Sequence, residues 1–240
     1  SPLFVTPHDQ RRGQAPPNSM AEPVPCAAAR ATIGSQDLTR ADPRSAWTDG
    51  VEFAEQQVEN GKTHMIGSQE VAAMIRRAAS DIRAAADELS RLDSATGDGD
   101  HGSAMLRSMA AAEKALAEAG QDASPKDLLF QAGWAVMSEA GGATGPLLGS
   151  LLMGLSEGFG DRTQLDAPAT AAAFEAALAG VRKQTQAQPG DKTMMDALVP
   201  AVTAMRQAAD AGASISAALA KAAEAAVNGA ESTRAMQARF

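Results

Sequence analysis

From Ser68 onward, glycine and proline divide the sequence into apolar-periodic segments that are too long for strands and close to the usual length of helices. Gly120, Gly160, Pro168, the Pro189-Gly190 pair and Gly212 supply the breaks. The pattern predicts helices over about 68–93, 103–119, 125–139, 145–159, 168–185, 192–211 and 214–238. Seven helices with short connections are expected to run antiparallel, as an all-α bundle. Composition points the same way: hydrophobic residues make up 45% of the 240, much of that alanine, and tyrosine is absent.

In the first segment Ser68 is placed to cap and Glu70 falls in the first turn. The expected buried stripe is Val71, Met74, Ile75, Ala78, Ile82, Ala85, Leu89 and Leu92. Pro200, inside the sixth segment, predicts a kink because it removes a backbone donor and crowds the preceding turn.

Residues 1–66 read differently. Prolines at 2, 7, 16, 17, 23, 25 and 43, with little sustained periodicity, predict a linker or extended arm, with a short helix over Ala46–Asn60. Residues 67–240 then form the domain. Starting at Ser1 instead of Met is read as a fragment, a trimmed chain or a fusion remnant.

The formal net charge of −8 and the lack of a Lys/Arg cluster exclude a nucleic-acid partner. Cys26 is the only cysteine, so no intrachain disulfide or cysteine-cluster zinc site can form. No stretch approaches the roughly 18–20 apolar residues of a membrane span, and the first residues lack a secretory core. The expectation is a soluble, unexported protein of the reducing cytoplasm, with no membrane partner.

Three loops could carry chemistry. In LDSATGDGDHG, Asp93, Asp98 and Asp100 lie within eight positions among three glycines, a flexible set of hard oxygen donors. Such donors suit magnesium completed by substrate phosphates better than calcium, whose dedicated loop needs a late bidentate glutamate. Taken alone, the same aspartates could be turn formers and helix caps. His101 stands at the start of the second helix, where free amides favour an anion; it could meet a phosphate or simply cap.

The second loop, GGATGPLLG at 141–149, allows close backbone approach and adds the Thr144 hydroxyl, yet by itself it reads equally as helix termination before Pro146. In the third, PGDKTMMDAL at 189–198, Asp191 can cap, Lys192 offers a cation, and Met194 and Met195 offer soft apolar surface for a base. Core packing for the methionines and a surface charge for Lys192 are the plainer readings.

The joint order of these loops resembles the nucleotide-binding L subunit, or C-terminal L domain, of dihydroxyacetone kinases. The resemblance covers about residues 68–239, through D-x4-GD-x-DHG at 93–102, GGATGP at 141–146, GDKTMMDALVP and the ending ESTRAMQAR. It implies an eight-helix up-and-down barrel, of which seven helices are expected here. It also implies that Asp93, Asp98 and Asp100 hold two magnesium ions bridging the phosphates of ADP or ATP. His101, Gly102, Ser103 and Ala104, with Ala143 and Thr144, match phosphate-contacting positions. Met194 matches a pocket position, and Thr185 lies where a glycine often sits beside the nucleotide. Thr144 replaces the usual serine, and Ala104 a common asparagine.

The activity implied is phosphoryl transfer to the hydroxyl of dihydroxyacetone, or of another small ketose, held on a separate K subunit or domain, with no catalytic nucleophile here. The donor is either ATP, which the proline-rich leader favours through a once-fused arrangement, or ADP recharged by a phosphotransferase-system partner. A homodimer is also open. The family pattern continues beyond Phe240 with a basic stretch, a DPGA loop and a last helix. Two rival functions stand beside this one: a non-catalytic helical interaction or regulatory protein of the same fold, and a magnesium-dependent phosphohydrolase.

Overall fold

A computed structural model of the chain describes residues 64–95, 97–139 and 142–239. The expected arm up to residue 63, its Ala46–Asn60 helix and Cys26 lie outside the described residues. Seven α-helices follow in order: α1 Ser68–Asp93, α2 His101–Glu118, α3 Pro125–Glu139, α4 Thr144–Phe159, α5 Ala167–Arg182, α6 Met195–Asp210 and α7 Ile215–Ser232. A 3-10 turn over Thr233–Ala235 ends the series. Each helix packs chiefly against its sequence neighbours, the up-and-down topology that short connections impose. No named strand occurs among the described residues; Ile66 and Leu165 form an isolated antiparallel bridge, and each donates its N–H to the other's carbonyl at 2.9 Å.

Small residues set the helix crossings. A Cβ on Gly154 or Gly158 of α4 would strike the backbone of Ala177 or Ala173 on α5, so these helices meet almost backbone to backbone. Gly229 of α7 likewise lies against the Asp196 carbonyl of α6. That carbonyl is the acceptor that Pro200, four residues on and without an N–H, cannot serve within the helix. A bidentate ion pair, Arg206 to Glu175 with both contacts at 2.8 Å, joins α6 to α5.

The core has two parts. The larger gathers Ile66, Val71, Ile75, Met109, Leu128, Val136, Leu165 and Met205 with many alanines. The smaller holds Leu178, Val181, Ala187, Met195 and Val202, with Leu147, Leu151, Phe174 and Met194 packed on it.

Three local expectations change. On α1 the buried residues are Val71, Ile75, Ala79 and Ala86, while Met74 is 41% and Leu92 55% exposed. The inward line therefore follows the alanines that let α2 approach closely, and not every apolar side chain. Ser68 is the first helical residue and not the cap: its Oγ donates to the Ala123 carbonyl at 2.9 Å, and Glu70 accepts the Gly67 N–H. Finally, α6 starts at Met195 and not 192, and α7 stops at Ser232 short of 238. The same contacts explain both ends: Lys192 Nζ donates to the carbonyls of Thr233 and Met236, which holds the 189–194 loop and the end of α7 out of helical continuation.

Candidate functional site

Because the helices alternate in direction, the N-termini of α2, α4 and α6 share one end of the bundle with the C-termini of α1, α3, α5 and α7. All three sequence loops are therefore delivered to the same end. The helices that cap well face away from it: Asp166 accepts the Ala169 N–H at 2.9 Å to cap α5, and Ser214 accepts that of Ala217 at 3.2 Å to cap α7. By contrast α2 and α4 have no side-chain cap, whereas at α6 Thr193 Oγ1 accepts the Met195 N–H at 3.2 Å. The first N–H groups of α2 and α4, which have no acceptor within the helix, and their positive dipole ends favour an anion.

The acidic loop is built by the chain's own hydrogen bonds. Asp93, the last residue of α1, accepts the Gly99 N–H on Oδ2 at 2.9 Å, and its carbonyl accepts the Gly97 N–H at 2.6 Å. Gly99 has φ +79, in the left-handed region that favours glycine. Asp98 Oδ1 accepts the Asp100 N–H at 3.2 Å. The result folds the loop back, so that one carboxylate oxygen from each of Asp93, Asp98 and Asp100 lies within 4.8 Å of the others. Asp98 and Asp100 are exposed and Asp93 half-buried. Three negative oxygens held this close repel one another unless a cation lies among them. An all-oxygen set open to solvent matches the preference of magnesium, which keeps water and phosphate ligands.

Next to Asp100, His101 opens α2 and lines a cavity of about 680 Å³, large enough for a nucleotide-sized ligand. Ala143 and Thr144, at the start of α4, form another part of its wall, and Thr185 and Met194 close it from the loops that flank the smaller core cluster. The aspartate triad thus stands at one side of a mainly apolar cavity.

The remaining predicted contacts are placed otherwise. Gly102 is buried: a Cβ there would run into the Ala86 carbonyl and Ser90 Oγ, so this glycine is required by the α1/α2 crossing. Ala104 is buried at 5% exposure, and its N–H is the first to bond inside α2, to the Asp100 carbonyl. Ser103 is exposed and its Oγ donates to the same carbonyl at 2.8 Å. None of these three side chains lines the cavity.

Sequence reasoning missed Met105, Leu147, Leu148, Gln184, Gln186 and Thr193 as wall residues. Met105 lies one helical turn beyond His101 and Leu147 one turn beyond Thr144, so helical spacing from the motif residues could have found both. It also missed Asp196, a 4%-exposed carboxylate that accepts the N–H groups of Gly190 and, at 2.8 Å, Thr193. Burial would raise this carboxyl, but the N–H donors of Thr193, Gly190, Asp196 itself and Lys192 outweigh it and hold the group below its ordinary range. It shapes the loop that ends in Met194.

Fold and site together define an up-and-down helical protein that sets clustered carboxylates and uncapped helix N-termini around one apolar cavity. The DAK2 domain matches residues 95–240. The PEP-dependent dihydroxyacetone kinase, ADP-binding subunit DhaL, of Escherichia coli is 36% identical over 152 residues, covering 63% of this chain and 71% of that subunit. The D-erythrulose kinase of Mycolicibacterium smegmatis is 36% identical over 174 residues, 72% of this chain but 29% of that enzyme. The crystal structure of the dihydroxyacetone kinase of C. freundii aligns over 71% of this chain and 36% of its own, with 22% identity and a TM-score of 0.49. The chain belongs to the DAK2 domain family. It spans less than a third of the erythrulose kinase and 59% of a Listeria innocua ADP-binding DhaL subunit. Among the described residues no helix is long and apolar enough to cross a membrane.

Proposed function

We propose that this chain is the ADP- or ATP-magnesium-binding L domain or subunit of a dihydroxyacetone-type kinase, and that it presents the phosphoryl donor to a small ketose held on a K subunit or domain. The observation that carries the reading is the continuity of Asp100 and His101: one ends the three-carboxylate cluster, and the next lines the cavity. A metal at the aspartates and a base in the cavity would place the phosphates between them, over the uncapped start of α2.

In this reading Asp93, Asp98 and Asp100 hold two magnesium ions, which when bound neutralise charge on the phosphates. The first-turn amides of His101, Gly102 and Ser103, with Ala143 and Thr144 at the start of α4, bind phosphate oxygens through backbone N–H groups and the Thr144 hydroxyl, while the Ala104 N–H stays with the Asp100 carbonyl. Met194 and Thr185 flank the base. This explains why Gly102 can serve although it is buried: only its backbone is needed. The ADP-binding subunit of a PEP-dependent dihydroxyacetone kinase and a D-erythrulose kinase, both relatives, support a phosphotransferase. We favour ATP over phosphotransferase-system recharging of bound ADP, on the proline-rich leader.

The test is transfer. The chain is mixed with magnesium-ATP and a K subunit loaded with dihydroxyacetone, and sugar phosphate and free phosphate are followed separately. Ketose-dependent sugar phosphate is expected; free phosphate released at the same rate with and without ketose would make the protein a phosphohydrolase instead.

A further inference from the structure

Lys192 stands out in its backbone: its φ of +61 is the single positive value of a non-glycine residue among the described residues. A lysine has no local side-chain bond to offset this conformation, so something must hold it there. Its ammonium does so by reaching across to the end of α7, where Nζ donates to the Thr233 carbonyl at 2.9 Å and the Met236 carbonyl at 3.2 Å. The Thr233 carbonyl, at the C-cap of α7, also accepts the Met236 N–H at 3.1 Å, and the negative end of the helix dipole makes this a fitting place for a cation. The neighbouring Asp191 is tied to the same segment, because Arg239 Nη1 meets its carboxylate at 3.1 Å and the Arg239 N–H donates to its carbonyl at 3.3 Å. The two residues that follow Lys192, Thr193 and Met194, line the cavity, whereas no residue of 233–239 does.

We propose that Lys192 is a positioning residue: by fastening the 189–194 loop to the segment Thr233–Arg239 it sets where Met194 stands in the cavity wall, and so sets nucleotide affinity without touching the nucleotide. The proposal rests on the nucleotide reading of the cavity. It also reverses the role that a lysine beside a phosphate site invites, since the ammonium is already engaged by carbonyl oxygens and faces the end of α7.

Two readouts test it on the full chain. The first is the methyl spectrum of carbon-13-labelled methionine without nucleotide, in the wild type, Lys192→Ala and Lys192→Arg. In Lys192→Ala the Met194 methyl signal is expected to shift or broaden while core Met109 and Met205 stay put, and Lys192→Arg, which can still cap carbonyls, is expected to restore it. The second is titration with magnesium-ADP and with adenosine. Affinity for both should fall by about the same factor in Lys192→Ala, on the order of tenfold, and recover in Lys192→Arg. An unmoved Met194 methyl overturns the proposal, as does a loss seen with ADP and absent with adenosine, which would make Lys192 a phosphate ligand. Failure of the wild type to bind ADP would sink the nucleotide reading, while the methyl spectra still decide the positioning role.

Discussion

Asp93 Oδ2 accepts the N–H of Gly99 at 2.9 Å, so the carboxylate that ends α1 also shapes the loop that carries Asp98 and Asp100. One residue thus builds the cluster and belongs to it. The two roles separate by substitution. Asp93→Asn keeps an oxygen acceptor for Gly99 but removes the charge, so its thermal stability is expected to stay close to wild type while magnesium-dependent nucleotide binding falls. Asp93→Ala should in addition lose about 1.5–3 kcal/mol of stability, the scale of a hydrogen bond to a charged group. Denaturant melts of the two variants beside magnesium titrations check this; equal stability in both would mean that the Gly99 bond contributes nothing.

The crossing of α1 and α2 rests on Gly102, whose place opposite the Ala86 carbonyl has no room for a Cβ. Gly102→Ala is expected to cost about 1–3 kcal/mol or more by overpacking and to weaken nucleotide binding as the start of α2 shifts. Ser103→Ala, one residue on and exposed, should leave stability within about 0.5 kcal/mol. Chemical denaturation of both variants gives the comparison, and equal midpoints would remove the packing argument.

Asp196 sets a pH dependence. Its folded carboxyl lies below its ordinary value near 3.8, so it binds a proton less readily in the folded chain than in the unfolded one. The stability it contributes is therefore fully present above that ordinary value and is lost as pH falls through the lower folded value. Asp196→Asn should be less stable than wild type by about 1–3 kcal/mol at pH 7, and the gap should close under strong acid. Urea midpoints of the two proteins at pH 7 and near pH 2 measure it; a gap that persists in acid would mean that charge on Asp196 is irrelevant.

Much of this architecture was legible before any coordinates. Seven helices were readable because their breaks are glycines and prolines, whose backbone preferences are local, and because alanine-rich periodicity has no competing strand pattern. The three loops also converge as their joint order implied, for an antiparallel bundle returns every second connection to the same end. Contacts made at a distance were what stayed hidden. No local rule shows that Ala79 and Ala86 face inward while Met74 and Leu92 do not, since that follows from where α2 lies. The end of α7 was equally obscure, because Lys192, more than forty positions earlier, binds the Thr233 and Met236 carbonyls just past it. Met105 and Leu147 carry no motif of their own and become wall residues only through their helical offset from His101 and Thr144.

The central claim is that the Asp93, Asp98 and Asp100 cluster makes nucleotide binding depend on magnesium. Calorimetric titration of ADP into the wild-type chain and into Asp98→Ala/Asp100→Ala, each with magnesium and with a chelator, tests it most directly. ADP is expected to bind the wild type on the order of a hundredfold more tightly with magnesium than without, with no such difference in the double variant. Equal ADP affinity with and without magnesium, or a magnesium effect that survives in the double variant, would contradict the account.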